Sequence, residues 1–84
     1  VAVPGSPLEE LDANHQSLLK RIMIQENWDR KSLQVICKEY GLMTDGAIET
    51  LNEWSFRNAN SPLIEDGDPI FVDTNLAQEI LNVR

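Results

Sequence analysis

Two helix-start signals lie on either side of a glycine, and they constrain the fold of this chain more than any other feature. Trp28 and Asp29 form the first signal, because Asp is a favoured N-cap and an apolar residue before the cap can pack on the first helical turns. Gly41 ends the helix, since glycine readily takes the left-handed conformation of a helix C-terminus. Met43 and Thr44 repeat the start signal. A turn of only about three residues must therefore join two helices, as in a helix-turn-helix.

Apolar residues at helical spacing predict three helices before residue 58 and one near the end of the chain. The first runs over about residues 11–25, the second follows Asp29, the third covers about residues 45–57 with Thr44 as its cap, and the last covers residues 75–82. The candidate N-caps of the first and last helices are Asp12 or Asn14, and Asp73 or Thr74.

The segment PLIEDGDPIFV, residues 62–72, replaces helical spacing with two short apolar runs around Asp66 and Gly67. An Asp-Gly pair between such runs is typical of a β-hairpin. Pro69 has no N–H to donate, so it must lie at a sheet edge or before strand pairing begins. Three helices, a hairpin and a final helix predict a small α+β domain that is winged-helix-like; the alternative is an irregular helical domain carrying a hairpin.

Length and composition predict one domain without a membrane span. Residues 1–10 contain proline, glycine and serine without periodicity, which predicts a flexible linker before a single domain over residues 11–84. A chain of 84 residues holds one modest core. Its lone cysteine, Cys37, fits a reducing cytoplasm, and no apolar run reaches membrane length. A start at Val1 indicates a fragment of a longer protein.

Of the net charge of −7, residues 41–84 contribute −6. A field of this sign repels phosphate backbones and anionic lipid and attracts divalent cations or basic protein surfaces. The third helix carries Asp45, Glu49 and Glu53, which is the wrong sign for a helix that reads DNA. Nucleic acid and membranes are therefore not the expected partners.

The three acids of the third helix recur every fourth residue and lie on one ridge, opposite its predicted core face. That core face comprises Ala47, Ile48, Leu51, Trp54 and Ser55. A ridge of this kind is usually solvated. Phe56, however, lies on the ridge side, where a large aromatic side chain needs cover from the hairpin, the last helix or another domain.

The hairpin turn adds three more carboxylates, from Glu65, Asp66 and Asp68. Hard cations such as calcium take oxygen ligands, although the EF-hand pattern is not met here. Asp66-Gly67 is also explained as plain turn chemistry without any ligand.

The stretch GLMTDGAIETLNEWSF, residues 41–56, followed by PLIEDGDPIFV and preceded by the helix that starts at Trp28, resembles the TerB-C domain. This module ends multidomain bacterial proteins that carry a tellurite-resistance TerB domain and its TerB-N partner. The resemblance implies a non-enzymatic accessory domain of stress-response proteins whose acidic positions chelate metal. On the matching positions, the implied ligands are Glu49, Glu53, Glu65, Asp66 and Asp68.

Two functions follow from this reading. In the first, those five carboxylates bind a divalent ion such as calcium, magnesium or manganese. In the second, the domain binds no metal and docks on a basic surface of the upstream domains or of another protein, with Asp45 and Phe56 in the contact. An enzyme is not expected, because nothing in the sequence signals a catalytic pocket.

Overall fold

Four α-helices and a three-stranded antiparallel sheet make up the computed structural model, which describes residues 7–82. The elements in chain order are a 3₁₀ helix Pro7–Glu10, α1 Ala13–Ile22, β1 Asn27–Trp28, α2 Arg30–Glu39, α3 Thr44–Ala59, β2 Ile64–Glu65, β3 Ile70–Val72 and α4 Thr74–Asn82. The predicted α+β class is confirmed.

The helix-turn-helix signals place α2 and its C-terminal turn correctly. The Asp29 carboxylate accepts the Ser32 N–H at 3.1 Å and caps α2. Gly41 has a φ of +70°. Its N–H donates to the Lys38 carbonyl, and the next N–H donates to the carbonyl of Cys37, the pairing of a Schellman motif. Glycine is needed here because other side chains rarely adopt this φ.

The start of α3 differs from the prediction. Thr44 is its first helical residue rather than its cap, and the N-cap is Met43, which makes no side-chain capping bond. Nearby, burial raises the pKa of the Cys37 thiol, and the Thr44 side chain partly opposes this rise. Met43 is 82% exposed, so the predicted packing of this side chain on the helix is also wrong.

The two other helices begin at predicted N-caps. Asp12 accepts the N–H groups of Asn14 and His15 at the start of α1. Asp73 accepts the Leu76 N–H at 3.0 Å at the start of α4. Three of the four helices thus start at an Asp that the sequence predicts as a candidate cap.

The sheet has the strand order β1-β3-β2, so the second strand of the predicted hairpin is its centre. β2 and β3 pair as predicted, with Ile64 opposite Val72. Pro69 precedes β3, as its missing N–H requires. β1 is an addition: Asn27 pairs with Phe71. Two residues are too few to show the alternation by which a strand is recognised in sequence.

Helix α3 lies at the centre of the core. The five residues predicted for its inner face are its buried residues, and Leu51 and Trp54 are fully buried among them. The Ser55 hydroxyl, also buried, donates to the Ser61 carbonyl at 2.6 Å. Around α3 pack α1, α2, the sheet and α4, where Ile80 is buried. The helical period of the sequence therefore predicts correctly which face of α3 is covered.

The predicted linker falls largely on residues 1–6, which lie outside the described residues. Pro7–Glu10 form the 3₁₀ helix, and Leu8 packs on the core. Arg57 of α3 donates to the Glu10 carboxylate at 3.3 Å. Over residues 7–82, no helix combines the length and apolar character that crossing a membrane requires.

Candidate functional site

An open groove of about 580 Å³ follows the exposed side of α3, between the start of α2 and the tip of the β2–β3 hairpin. Its lining comprises Arg30, Asp45, Ile48, Glu49, Asn52, Glu53, Phe56 and Asp66. Because a helix rises about 1.5 Å per residue, the α3 part of this lining is about 16 Å long. The acidic ridge predicted from sequence is one wall of this groove.

Arg30 closes one end of the groove by joining three elements. It is the first residue of α2, directly after the Asp29 cap. Its Nη1 donates to Asp45 of α3 at 3.2 Å, and its Nη2 donates to Asp66 at the hairpin tip. Asp66 foremost, then Asp45, raises the pKa of the Arg30 guanidinium. These two acids therefore already have a cationic partner within the chain.

Glu49 and Glu53 form the middle of the groove wall, one helical turn apart. Both are exposed, and neither forms an ion pair within the described part of the chain. Like charges four residues apart destabilise an isolated helix slightly, so the pair costs the fold a few tenths of a kcal/mol. Glu49 and Glu53 are thus available to an external cation.

Phe56 and Ile48 supply the apolar part of the groove. Ile48 is 8% exposed and belongs to the core, whereas the Phe56 side chain is 50% exposed. Covering Phe56 was expected of the hairpin, α4 or another domain; within residues 7–82 it remains half-exposed. An aromatic ring in a groove beside acids is a suitable anchor for a partner.

Asn52 fixes the hairpin to α3 and forms the floor of the groove. Its Oδ1 accepts the N–H groups of Leu63 and Ile64 at 3.0 and 2.7 Å, and its Nδ2 donates to the Ile64 carbonyl at 3.0 Å. Sequence reasoning missed this role, because nothing near Asn52 in the chain indicates a partner 11 or 12 residues away.

The carboxylates predicted as metal ligands are only partly brought together. Glu49, Glu53 and Asp66 line the groove. Glu65 lines a separate cavity of about 60 Å³ with Phe71, and Asp68 is not part of the groove lining. Among residues 7–82, no group of three or more His, Cys, Asp or Glu side chains is placed to hold a metal ion. The five predicted ligands therefore do not form one ligand set in this arrangement.

The two residues predicted for partner contact, Asp45 and Phe56, both line the groove, at its opposite ends. Arg30 was not predicted, since its partners lie 15 and 36 residues further along the chain. Nothing near Arg30 in the sequence indicates either partner.

The family model of the TerB-C domain matches residues 1–81 of the chain. Neither a curated protein nor a solved structure matches it.

Proposed function

Because the chain belongs to the TerB-C domain family, an accessory domain associated with tellurite resistance, we propose that it acts as a non-enzymatic docking module. The groove along α3 is its binding surface. The partner is a basic, partly apolar segment, carried by the upstream domains of the same polypeptide or by another protein.

The observation that supports this proposal is the combination of a half-exposed Phe56 with the acids Glu49 and Glu53 in one groove. An aromatic anchor contributes affinity by removing apolar surface from water, while the acids steer and select a basic partner. The net charge of −7 extends the same attraction over the whole domain.

Titration of the isotope-labelled chain with the upstream domains of its polypeptide, followed by amide shifts, tests the proposal. We expect shifts around Glu49, Glu53 and Phe56, and weaker binding at higher salt. Phe56→Ala should weaken binding by about tenfold or more, as for an interface anchor. Val35→Ala is the matched control, because Val35 is 60% exposed on α2 and is absent from the groove lining. Binding that survives both Phe56→Ala and Glu49→Lys unchanged would contradict docking at this groove.

Metal chelation is the second candidate, because Glu49, Glu53 and Asp66 line the same groove, although in this arrangement they are not placed to hold one ion together. Asp66 would have to leave Arg30 in order to bind a cation. A ligand that binds only the folded chain stabilises it by mass action, and its melting temperature rises. At a ligand concentration of 100 times the Kd, the free energy of unfolding increases by about 2.7 kcal/mol. Titration with calcium, magnesium and manganese chlorides separates the two functions. Docking alone predicts no site-specific amide shifts at millimolar ion, and chelation predicts them at these three residues.

A further inference from the structure

We propose that the groove receives an amphipathic α-helix with two basic residues four positions apart, rather than an added β-strand. This inference rests on the proposed docking function and specifies the form of the partner. It follows from the main-chain hydrogen bonds of β2, the spacing of the free acids and the position of the apolar anchor.

The edge of β2 that faces α3 has no free main-chain group at Ile64. In the pairing of β2 with β3, Asp73 donates to the Leu63 carbonyl, so this neighbouring pair is hydrogen-bonded. Antiparallel pairs alternate, and the N–H and C=O of Ile64 therefore point away from β3. The Asn52 amide takes both groups.

An extended segment gains affinity from a sheet by pairing its main chain with an open edge. With Ile64 already bonded to Asn52, such a segment in the groove would gain no main-chain hydrogen bonds from β2 unless it displaced the amide. A helix satisfies its main chain internally and needs only side-chain contacts. The closed edge therefore favours a helical partner.

The free acids match a helix that carries basic residues four positions apart. Glu49 and Glu53 are one turn apart on α3, which corresponds to about 6 Å along the axis. Side chains at positions i and i+4 of a partner helix lying along the groove have the same separation. Asp45 and Asp66 are already paired with Arg30, so Glu49 and Glu53 are the groove acids without a cationic partner among residues 7–82.

The apolar anchor lies one turn beyond the acids. Phe56 follows Glu53 by three residues, so a large apolar side chain one turn past the second basic residue of the partner would reach it. The α3 lining of about 16 Å accommodates about three helical turns. The partner pattern is therefore two basic residues and one apolar residue on successive turns of one face.

Two synthetic peptides of identical composition test this inference on the 84-residue chain. The first is alanine-based, with lysines at positions i and i+4 and leucine at i+8. The second places the same residues at i, i+2 and i+4, which share one face of a strand but not of a helix. We expect the first peptide to shift the amides of Glu49, Glu53 and Phe56, to become helical on binding, and to bind about tenfold more tightly than the second.

Variants of the chain locate the contact. Glu49→Gln with Glu53→Gln, and separately Phe56→Ala, should each remove the preference for the first peptide, whereas Val35→Ala should retain it. Equal or tighter binding of the second peptide would overturn the helical partner. If the second peptide binds as well as the first but the upstream domains still bind at the groove, the docking proposal stands and only the proposal of a helical partner fails. If neither the upstream domains nor either peptide shifts groove amides, both proposals fail.

Discussion

The Asn52 side chain forms hydrogen bonds with the outer main-chain groups of β2, as a neighbouring strand usually does in a sheet. Its amide has the donor and acceptor of a peptide group, so it bonds both outward groups of Ile64 as a further strand would. An asparagine within a helix is often unfavourable, because it competes with main-chain hydrogen bonds. Here the competing bonds lie on another element, and they are formed only when α3 and the hairpin pack together.

Replacing Asn52 should destabilise the fold more than an ordinary surface substitution. Asn52→Ala leaves two N–H groups and one carbonyl without their partner at a part-buried site, which costs about 2–4 kcal/mol. Asn52→Asp keeps the acceptor but turns a carboxylate oxygen toward the Ile64 carbonyl. Urea denaturation should therefore rank the wild type above both variants. Gln34→Ala, an exposed change on α2, is the control and should stay within about 0.5 kcal/mol. An Asn52→Ala chain as stable as this control would contradict the role assigned to the amide.

Arg30 stabilises the fold but weakens the attraction of the groove for a basic partner. It holds Asp45 and Asp66 in place, yet its charge reduces the negative potential of the groove. Arg30→Gln should therefore lower the melting temperature slightly and tighten binding of the lysine peptide by about threefold at low salt. Lys31→Gln changes the net charge by the same amount outside the groove lining and should affect binding less. Equal effects of the two variants would show that only net charge matters.

At the level of elements, the sequence predicts those parts that depend on local chemistry. The period of α3 and its apolar positions determine its buried face, and the caps Asp12, Asp29 and Asp73 act on main chain within three residues. The two-residue strand β1 and the entry into α3 were not predicted correctly. β1 depends on tertiary packing, because it exists only with β3 beside it, and α3 begins at Thr44 with Met43 as its N-cap, without a side-chain capping bond.

The Asp caps make stability depend on acid pH. Hydrogen bonds from His15 to Asp12 and from Ser32 to Asp29 lower the pKa of both carboxyls below the ordinary Asp value. A lowered folded-state pKa gives stability that is present above the unfolded pKa, about 3.9, and is lost as pH falls through the folded-state value. Asp29→Asn keeps a capping oxygen but does not titrate. Its unfolding free energy should therefore fall less than that of the wild type between about pH 5 and pH 2. Parallel pH profiles for the two chains would rule out a contribution from this cap.

At the level of the whole molecule, the acidic second half of the sequence supplies the carboxylates of the groove, but the sequence does not show how they are shared. Asp45, Glu49, Glu53 and Asp66 all line it, as an acidic helix followed by an acidic turn suggests. Glu65 and Asp68 of the same turn are not in that lining, because side-chain direction in a hairpin depends on register and turn geometry. Arg30 pairs with two of these acids because α2 packs beside α3 and the hairpin, which the sequence does not show.

Net charge should set the response of the domain to salt. With a net charge of −7, self-repulsion opposes the folded state. Sodium chloride at about 0.3 M shortens the screening length to below about 8 Å, so it should raise the melting temperature while weakening a basic partner. Neutralising acids far from the groove, as in Glu26→Gln with Glu79→Gln, should reduce the rise in melting temperature on adding salt. The salt dependence of partner binding should stay the same. A melting temperature that falls on adding salt would mean that ion pairs, and not repulsion, dominate.

Side-chain amides occupy main-chain groups on both outer strands of the sheet, and these contacts also bear on how the chain behaves when concentrated. The Ile64 main chain is bonded by Asn52, and on the other side of the sheet the Asn27 carbonyl accepts Gln25 Nε2 at 2.7 Å. Open edges are templates on which copies of a protein stack into fibres. The two amides thus oppose self-association, because they occupy main-chain groups with which a second copy could pair. Removing either one should shorten the time that a concentrated solution stays clear, by exposing main chain to which a second copy can add.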